Sequence, residues 1–151
     1  MLTIAAETPD QPEIQSLFDQ SEAYAAARYP PEDRHMVDAD YLDGPHIRFL
    51  VARWQGRAVG CGALVLGGDG TAELKRVVVD AETRGKGIGR ALMQALETVA
   101  RDEQVRLIQL ETGPASTAAV RLYQACGYRA RGPFGAYRDS PHSLFMEREL
   151  A

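Results

Sequence analysis

Cysteine is scarce in this chain: only Cys61 and Cys126 occur among its 151 residues. Their separation matches no metal-ligand spacing and both stand in apolar stretches. They read as buried free thiols, and no metal site is expected. Long apolar runs are also missing, and the opening "MLTIAAETPDQPEIQ" has no basic segment leading into an apolar one. No membrane span or signal peptide is therefore expected, and a cytoplasmic location is the default. Positive charge is in deficit, with 17 basic against 21 acidic residues and a formal charge of −4. That balance gives no electrostatic footprint for nucleic acid or an anionic membrane, so neither is expected as a partner. Internal repeats, low-complexity tracts and linker-like segments do not occur. What is present is an ordinary globular composition, 45% hydrophobic and 25% charged, at a length suiting one domain over residues 1–151.

The apolar pattern divides that length into short elements. "LTIAAE" alternates like a strand, and the helix after it carries Ile14, Leu17, Phe18 and Ala25 at helical spacing. "PPEDRHMVDADYLDGP" is broken by prolines and Gly44 and reads as a mobile loop with one helical turn near "DADYL". "HIRFLVARW" and "AVGCGALVLG" form an antiparallel hairpin, and "TAELKRVVVD" adds a third antiparallel strand after the turn "GGDG". A helix follows with Ile88, Leu92, Leu96 and Val99 on one face. "VRLIQLET" is a buried strand, "ASTAAVRLYQACG" a helix stopped at Gly127, and "YRARG" and "HSLFMEREL" flank the loop "PFGAYRDSP". The order predicts an α+β chain around one mostly antiparallel sheet. Hairpin-linked strands argue against a doubly wound nucleotide fold.

Glycine is concentrated where the third hairpin strand meets its helix, in Arg84-Gly85-Lys86-Gly87-Ile88-Gly89-Arg90. A dinucleotide fingerprint needs G-x-G-x-x-G inside a βαβ unit, and a Walker loop needs G-x-x-x-x-G-K followed by Ser or Thr. Neither pattern is here. A shorter anion cradle fits: successive main-chain N–H groups at a helix start, free of Cβ atoms at Gly85 and Gly87, with Arg84 and Lys86 adding charge. A purely structural tight turn is the competing explanation.

"VVVDAETRGKGIGRALMQALE" resembles motif A of the GNAT superfamily of N-acetyltransferases, whose core reads Arg or Gln, two residues, Gly, one residue, then Gly or Ala. Arg84, Gly87 and Gly89 fill the fixed places. "VRLYQACGYRARG" resembles the family's motif B, with Leu122, Tyr123, Gly127 and Tyr128 in register. The element order matches from first strand to last, so the resemblance covers nearly the whole chain. Ser116 stands where many members carry Asn. The resemblance implies the acyl-CoA N-acyltransferase (GNAT) fold and acetyl-CoA as donor, without a metal. It implies cofactor contacts from Arg84 to Arg90, including Ile88, from Ser116 and Tyr123, and from the main chain of Val77, Val78 and Val79, where the strand bulges to meet the pantetheine arm.

Acetyl transfer needs an amine relieved of its proton, a polarised carbonyl and a stabilised leaving thiolate. The resemblance places Tyr123 near the sulfur as proton donor, Tyr128 as packing, and Glu73 where several members keep a catalytic glutamate. Strand alternation puts Glu73 and Lys75 on one face and Leu74 and Arg76 on the other. A surface ion pair between Glu73 and Lys75 is the rival account.

For the acceptor, the resemblance points to residues 24–46 and 132–142. Arg34, Lys75 and Arg138 suit a carboxylate, and Tyr137 suits a cleft-lining aromatic. Tyr29, His35 and His142 lie in the same segments. The expected substrate is a small-molecule amine, an acid-bearing one among the options. A sensor module that holds acetyl-CoA without transfer and a protein N-acetyltransferase are the alternatives. A homodimer is left open. The tail "PFGAYRDSPHSLFMEREL" is similar to that of bacterial GNAT proteins labelled as indole-acetic-acid acetyltransferases.

Overall fold

The computed structural model describes residues 1–150. Its strands are β1 (Leu2–Ala6), β2 (Ile47–Trp54), β3 (Arg57–Leu66), β4 (Thr71–Val79), β5 (Leu107–Thr112), β6 (Arg129–Arg131) and β7 (Leu144–Glu149). Its helices are α1 (Pro12–Ala26), α2 (Ala39–Leu42), α3 (Ile88–Asp102) and α4 (Thr117–Ala125), with short 3-10 turns at Pro31–Asp33 and Ala81–Thr83. The strands make one sheet in the order β1-β2-β3-β4-β5-β7-β6. Among the described residues only β4 and β5 run parallel. The α+β order expected from the apolar pattern is the order found.

Both faces of the sheet centre are covered, which is why β2 and β3 read as near-continuous apolar runs. On one face Leu92, Met93, Leu96 and Ala100 of α3 and Tyr123 of α4 pack with Leu50, Leu64, Leu74, Ile108 and Met146. On the other, Ile14, Leu17 and Phe18 of α1 and Leu42 of α2 pack with Phe49, Val51, Cys61, Ala63 and Val78. The side chains picked out by helical spacing in α1, Ile14, Leu17, Phe18 and Ala25, are all buried. Cys61 is buried and Cys126 half-buried, both as free thiols. Burial pushes the Cys61 thiol up to about 12. Among the described residues, no helix is long and apolar enough to cross a membrane.

Two irregularities shape the middle of the sheet. Cys61 pairs with Val78 but Ala63 pairs with Lys75, so Gly62 alone opposes Arg76 and Val77, a two-to-one bulge in β4. Arg76 takes φ 54°, the left-handed region, at a cost of roughly 1–2 kcal/mol. A Cβ on Gly62 would stand 2.9 Å from Leu96 Cδ1, so α3 presses onto the sheet where the bulge lies. The bulge breaks the alternation expected from the sequence. Arg76 does not share a face with Leu74; its guanidinium lies 4.3 Å from the centre of the Phe18 ring on the α1 side, donating to Val37 O and pairing with Glu22. The second irregularity is the short pairing of β4 with β5, which runs only from Thr71↔Leu107 to Leu74↔Leu110. Beyond Leu74 the two strands part, and a wedge opens between them.

Candidate active site

The wedge is the floor of a cleft of about 1300 Å³ bounded by α1, the 31–38 segment, β4, the glycine turn, β5 and α4. Small-ligand pockets usually hold roughly 300–1,000 Å³, so this one has room for two reactants.

One end is built on main chain. Past Leu74, β4 has no partner on its β5 side, so Val77, Val78 and Val79 line the cleft with backbone groups free on that edge. Asp80 ends the strand, is buried, accepts from Glu82 N at 3.2 Å and pairs with Arg57, which fixes the turn that follows. The chain then passes through Gly85 (φ 83°) and Gly87 (φ 75°), conformations that side chains rarely adopt. A Cβ at either would meet no atom of the described residues within 4 Å, so the space above both is open. Gly87 caps α3 with no side-chain hydrogen bond, and the N–H groups of Gly85, Lys86 and Gly87 find no partner among the described residues. With the first free N–H groups of α3, they form a hollow suited to an anion.

The other expected cradle residues divide. Arg84 and Arg90 line the cleft as exposed cations, Arg84 without an ion-pair partner among the described residues. Ile88 is buried and Gly89 lies against Leu122 and Val79, so bareness there serves packing of α3 on α4 as well. Lys86 does not line the cleft; its ammonium sits 5.9 Å from the Trp54 ring centre.

Tyr123 projects from α4, buried but with its side chain on the cleft. Burial pushes its phenol well above the usual tyrosine range, so it keeps its proton at neutral pH. Tyr128 is buried beside it, with ring centres 5.9 Å apart, as packing. Ser116 lines the cleft too, its hydroxyl 2.8 Å from that of Tyr29 at the end of α1. Gly113 makes that contact feasible: any Cβ there would overlap the Tyr29 hydroxyl. Nothing in the sequence pattern pointed to Gly113.

At the other end, Glu73 and Lys75 face the cleft from β4, with Nζ 3.3 Å from Glu73 Oε2. The segment expected to be mobile is pinned above them. His142 Nδ1 stands 2.7 Å from Asp33 Oδ2 and His35 Nδ1 stands 2.7 Å from Glu111 Oε2. Ser143 also donates to Glu111, and Leu42 is buried. Between the two anchors Arg34 is extended and half-buried on the cleft; its backbone N–H donates to Pro31 O, and its guanidinium has no hydrogen-bond or ion-pair partner among the described residues. The two remaining substrate candidates lie elsewhere. Arg138 is exposed and off the cleft, because its loop turns it to solvent. Tyr137 does not line the cleft either; its ring is boxed by Phe134, Phe145 and His35, behind Glu73 and Lys75.

Comparison with known proteins gives this geometry a family. The model of the acetyltransferase (GNAT) family matches residues 13–128. A relative named IAA acetyltransferase, from Azospirillum brasilense, is 41% identical over 150 residues, 99% of this chain and 98% of its own. A solved Klebsiella pneumoniae structure, named for an acyl-CoA N-acyltransferase, is 35% identical with TM-score 0.84 over 100% of this chain and 99% of the other. At 16% identity, the PaiA N-acetyltransferase of Thermoplasma acidophilum, solved in complex with coenzyme A, shares the fold with TM-score 0.79 over 99% of each chain. The bulged β4, the wedge beside it, the glycine-lined start of α3 and the family match together place this chain in the acetyltransferase (GNAT) family.

Proposed function

We propose that the protein is an acetyl-CoA-dependent N-acetyltransferase acting on a small-molecule amine that bears an acid group. One observation carries the reading: the free edge of β4 runs directly into the open glycine hollow, and Glu73 and Tyr123 flank the same cleft.

The hollow suits the donor. Its unpaired N–H groups, the α3 dipole and Arg84 and Arg90 match a diphosphate, and the unpaired β4 edge matches an amide-bearing arm laid down as an added strand. Bound there, acetyl-CoA supplies an acetyl thioester as the electrophile. Glu73 takes the proton of the acceptor ammonium, whose pKa lies roughly three units above neutrality. The amine nitrogen, now with a free lone pair, is held within the cleft. Tyr123, kept protonated by burial, donates its hydroxyl proton toward the departing sulfur. Arg34 is the one unpartnered cation on the anchored segment, and its planar fork suits a carboxylate. Lys75 is already committed to Glu73 and Tyr137, so it contributes charge more than a contact.

The test is release of CoA thiol from acetyl-CoA by the purified protein against a panel of amino acids, simple alkylamines and peptides. Turnover on acid-bearing amines, weakened at high acceptor KM by Arg34→Met, supports the reading. Tight acetyl-CoA binding with background thiol release throughout would make it a sensor. Turnover on peptide N-termini alone would make it a protein acetyltransferase.

A further inference from the structure

Tyr137 is half-buried and stands off the cleft wall. Its hydroxyl donates to Glu73 Oε2 at 2.5 Å and accepts from Lys75 Nζ at 2.7 Å. The ring supporting that hydroxyl is immobilised from several sides, with Phe134, Phe145 and His35 at centroid distances of 5.1, 5.5 and 5.4 Å. Both partners come from one strand, two residues apart, while Tyr137 reaches them from the β6–β7 loop.

We propose that Tyr137 is the positioning residue of the basic carboxylate: with Lys75 behind it, its hydroxyl holds Glu73 Oε2 and leaves Oε1 as the atom that takes the amine proton. The inference rests on Glu73 being the base. Its geometric support is that Oε2 carries both protein contacts of the carboxylate, whereas Oε1 has no partner among the described residues and Glu73 lines the cleft. In the step itself an N–H bond of the ammonium breaks, its electron pair stays on nitrogen, and the proton passes to Oε1. Tyr137 and Lys75 keep their protons throughout. Burial and the Glu73 charge raise the Tyr137 phenol far above neutrality, which keeps it a donor. Without the hydroxyl, the Lys75 ammonium is free to close from 3.3 Å onto the carboxylate and draw it off the amine. A glutamate with free torsions loses much of the advantage of a fixed geometry.

Tyr137→Phe tests this while keeping the ring packing. Rates are compared for an alkylamine acceptor and for O-methylhydroxylamine, a weakly basic amine that is already in its neutral –NH2 form at neutral pH and needs no base to free its lone pair. Glu73→Gln reads the underlying assumption, slowing the alkylamine far more than O-methylhydroxylamine. Tyr137→Phe is expected to show the same selectivity, with a roughly 10- to 100-fold fall in alkylamine kcat and an unchanged KM for acetyl-CoA. The Glu73→Gln/Tyr137→Phe double variant is expected to be no slower than Glu73→Gln alone. Equal slowing of both probes, multiplicative losses in the double variant, or wild-type kcat in Tyr137→Phe would each overturn the positioning role. Wild-type kcat in Glu73→Gln would instead remove the base, and the positioning role with it.

Discussion

The glycine hollow can be tested with a pair of substitutions that separates strain from binding. Gly87→Glu places an L residue at φ 75°, where no atom of the described residues lies within 4 Å of its Cβ. Gly68→Glu does the same at φ 79°, again in open space, but in the β3–β4 turn outside the cleft. Both should lose about 1–2 kcal/mol of stability to left-handed strain, or roughly 2–8 °C in Tm for a chain of this size. Only Gly87→Glu puts a carboxylate among the N–H groups offered to the diphosphate. At a separation of about 5 Å and an effective dielectric between about 20 and 80, each like-charge pair costs roughly 1–3 kcal/mol. Two phosphate charges then raise the acetyl-CoA Kd by about 20-fold or more. The defect should shrink at high ionic strength, since the site is open to solvent. Calorimetric titration with acetyl-CoA at low and high salt, beside thermal melts of both variants, reads every term. If the two variants melt alike and Gly87→Glu binds acetyl-CoA as tightly as Gly68→Glu does, the hollow is not the phosphate site.

Tyr123→Phe should lower kcat by at least tenfold with little change in acetyl-CoA KM, because the lost O–H matters most as charge reaches the sulfur; an unchanged kcat removes Tyr123 from the chemistry. Gly62→Val should destabilise by about 1–3 kcal/mol, since its Cβ would already stand 2.9 Å from Leu96 Cδ1 opposite the bulge, and a denaturant midpoint equal to wild type would contradict that packing. Hydrogen bonds from Arg53 hold the Glu7 carboxyl below the usual range, and those from Arg129 and Arg131 do the same for Glu147. The unfolded chain binds protons there before the folded one does. Their stabilisation is thus whole above about pH 5 and is lost as pH falls through the lowered folded values. Urea unfolding between pH 6 and 3 should show that loss, and Arg53→Met should flatten its slope; an unaltered slope would discount the Glu7–Arg53 pair.

The sequence alone determined the elements and their order, because the signals involved are local. Helical spacing marked Ile14, Leu17, Phe18 and Ala25 as the buried stripe of α1, and the glycine run marked the start of α3. The same run suggested an anion cradle from its own chemistry, whereas the roles expected of Tyr123 and Glu73 came from the family resemblance of the motifs around them. Tertiary structure decided the rest. Arg76 changed face because Gly62 opposes two residues, and a bulge exists only once two strands have chosen a register. The wedge exists because β4 and β5 stop pairing at Leu74, a fact about their divergence that neither strand encodes alone. Tyr137 reaches Glu73 across 64 positions, and His142 and His35 reach Asp33 and Glu111 across 109 and 76. Contacts at such separations depend on where the sheet carries each loop, so a pattern read along the chain could name Tyr137 as a site residue and still mistake what it touches.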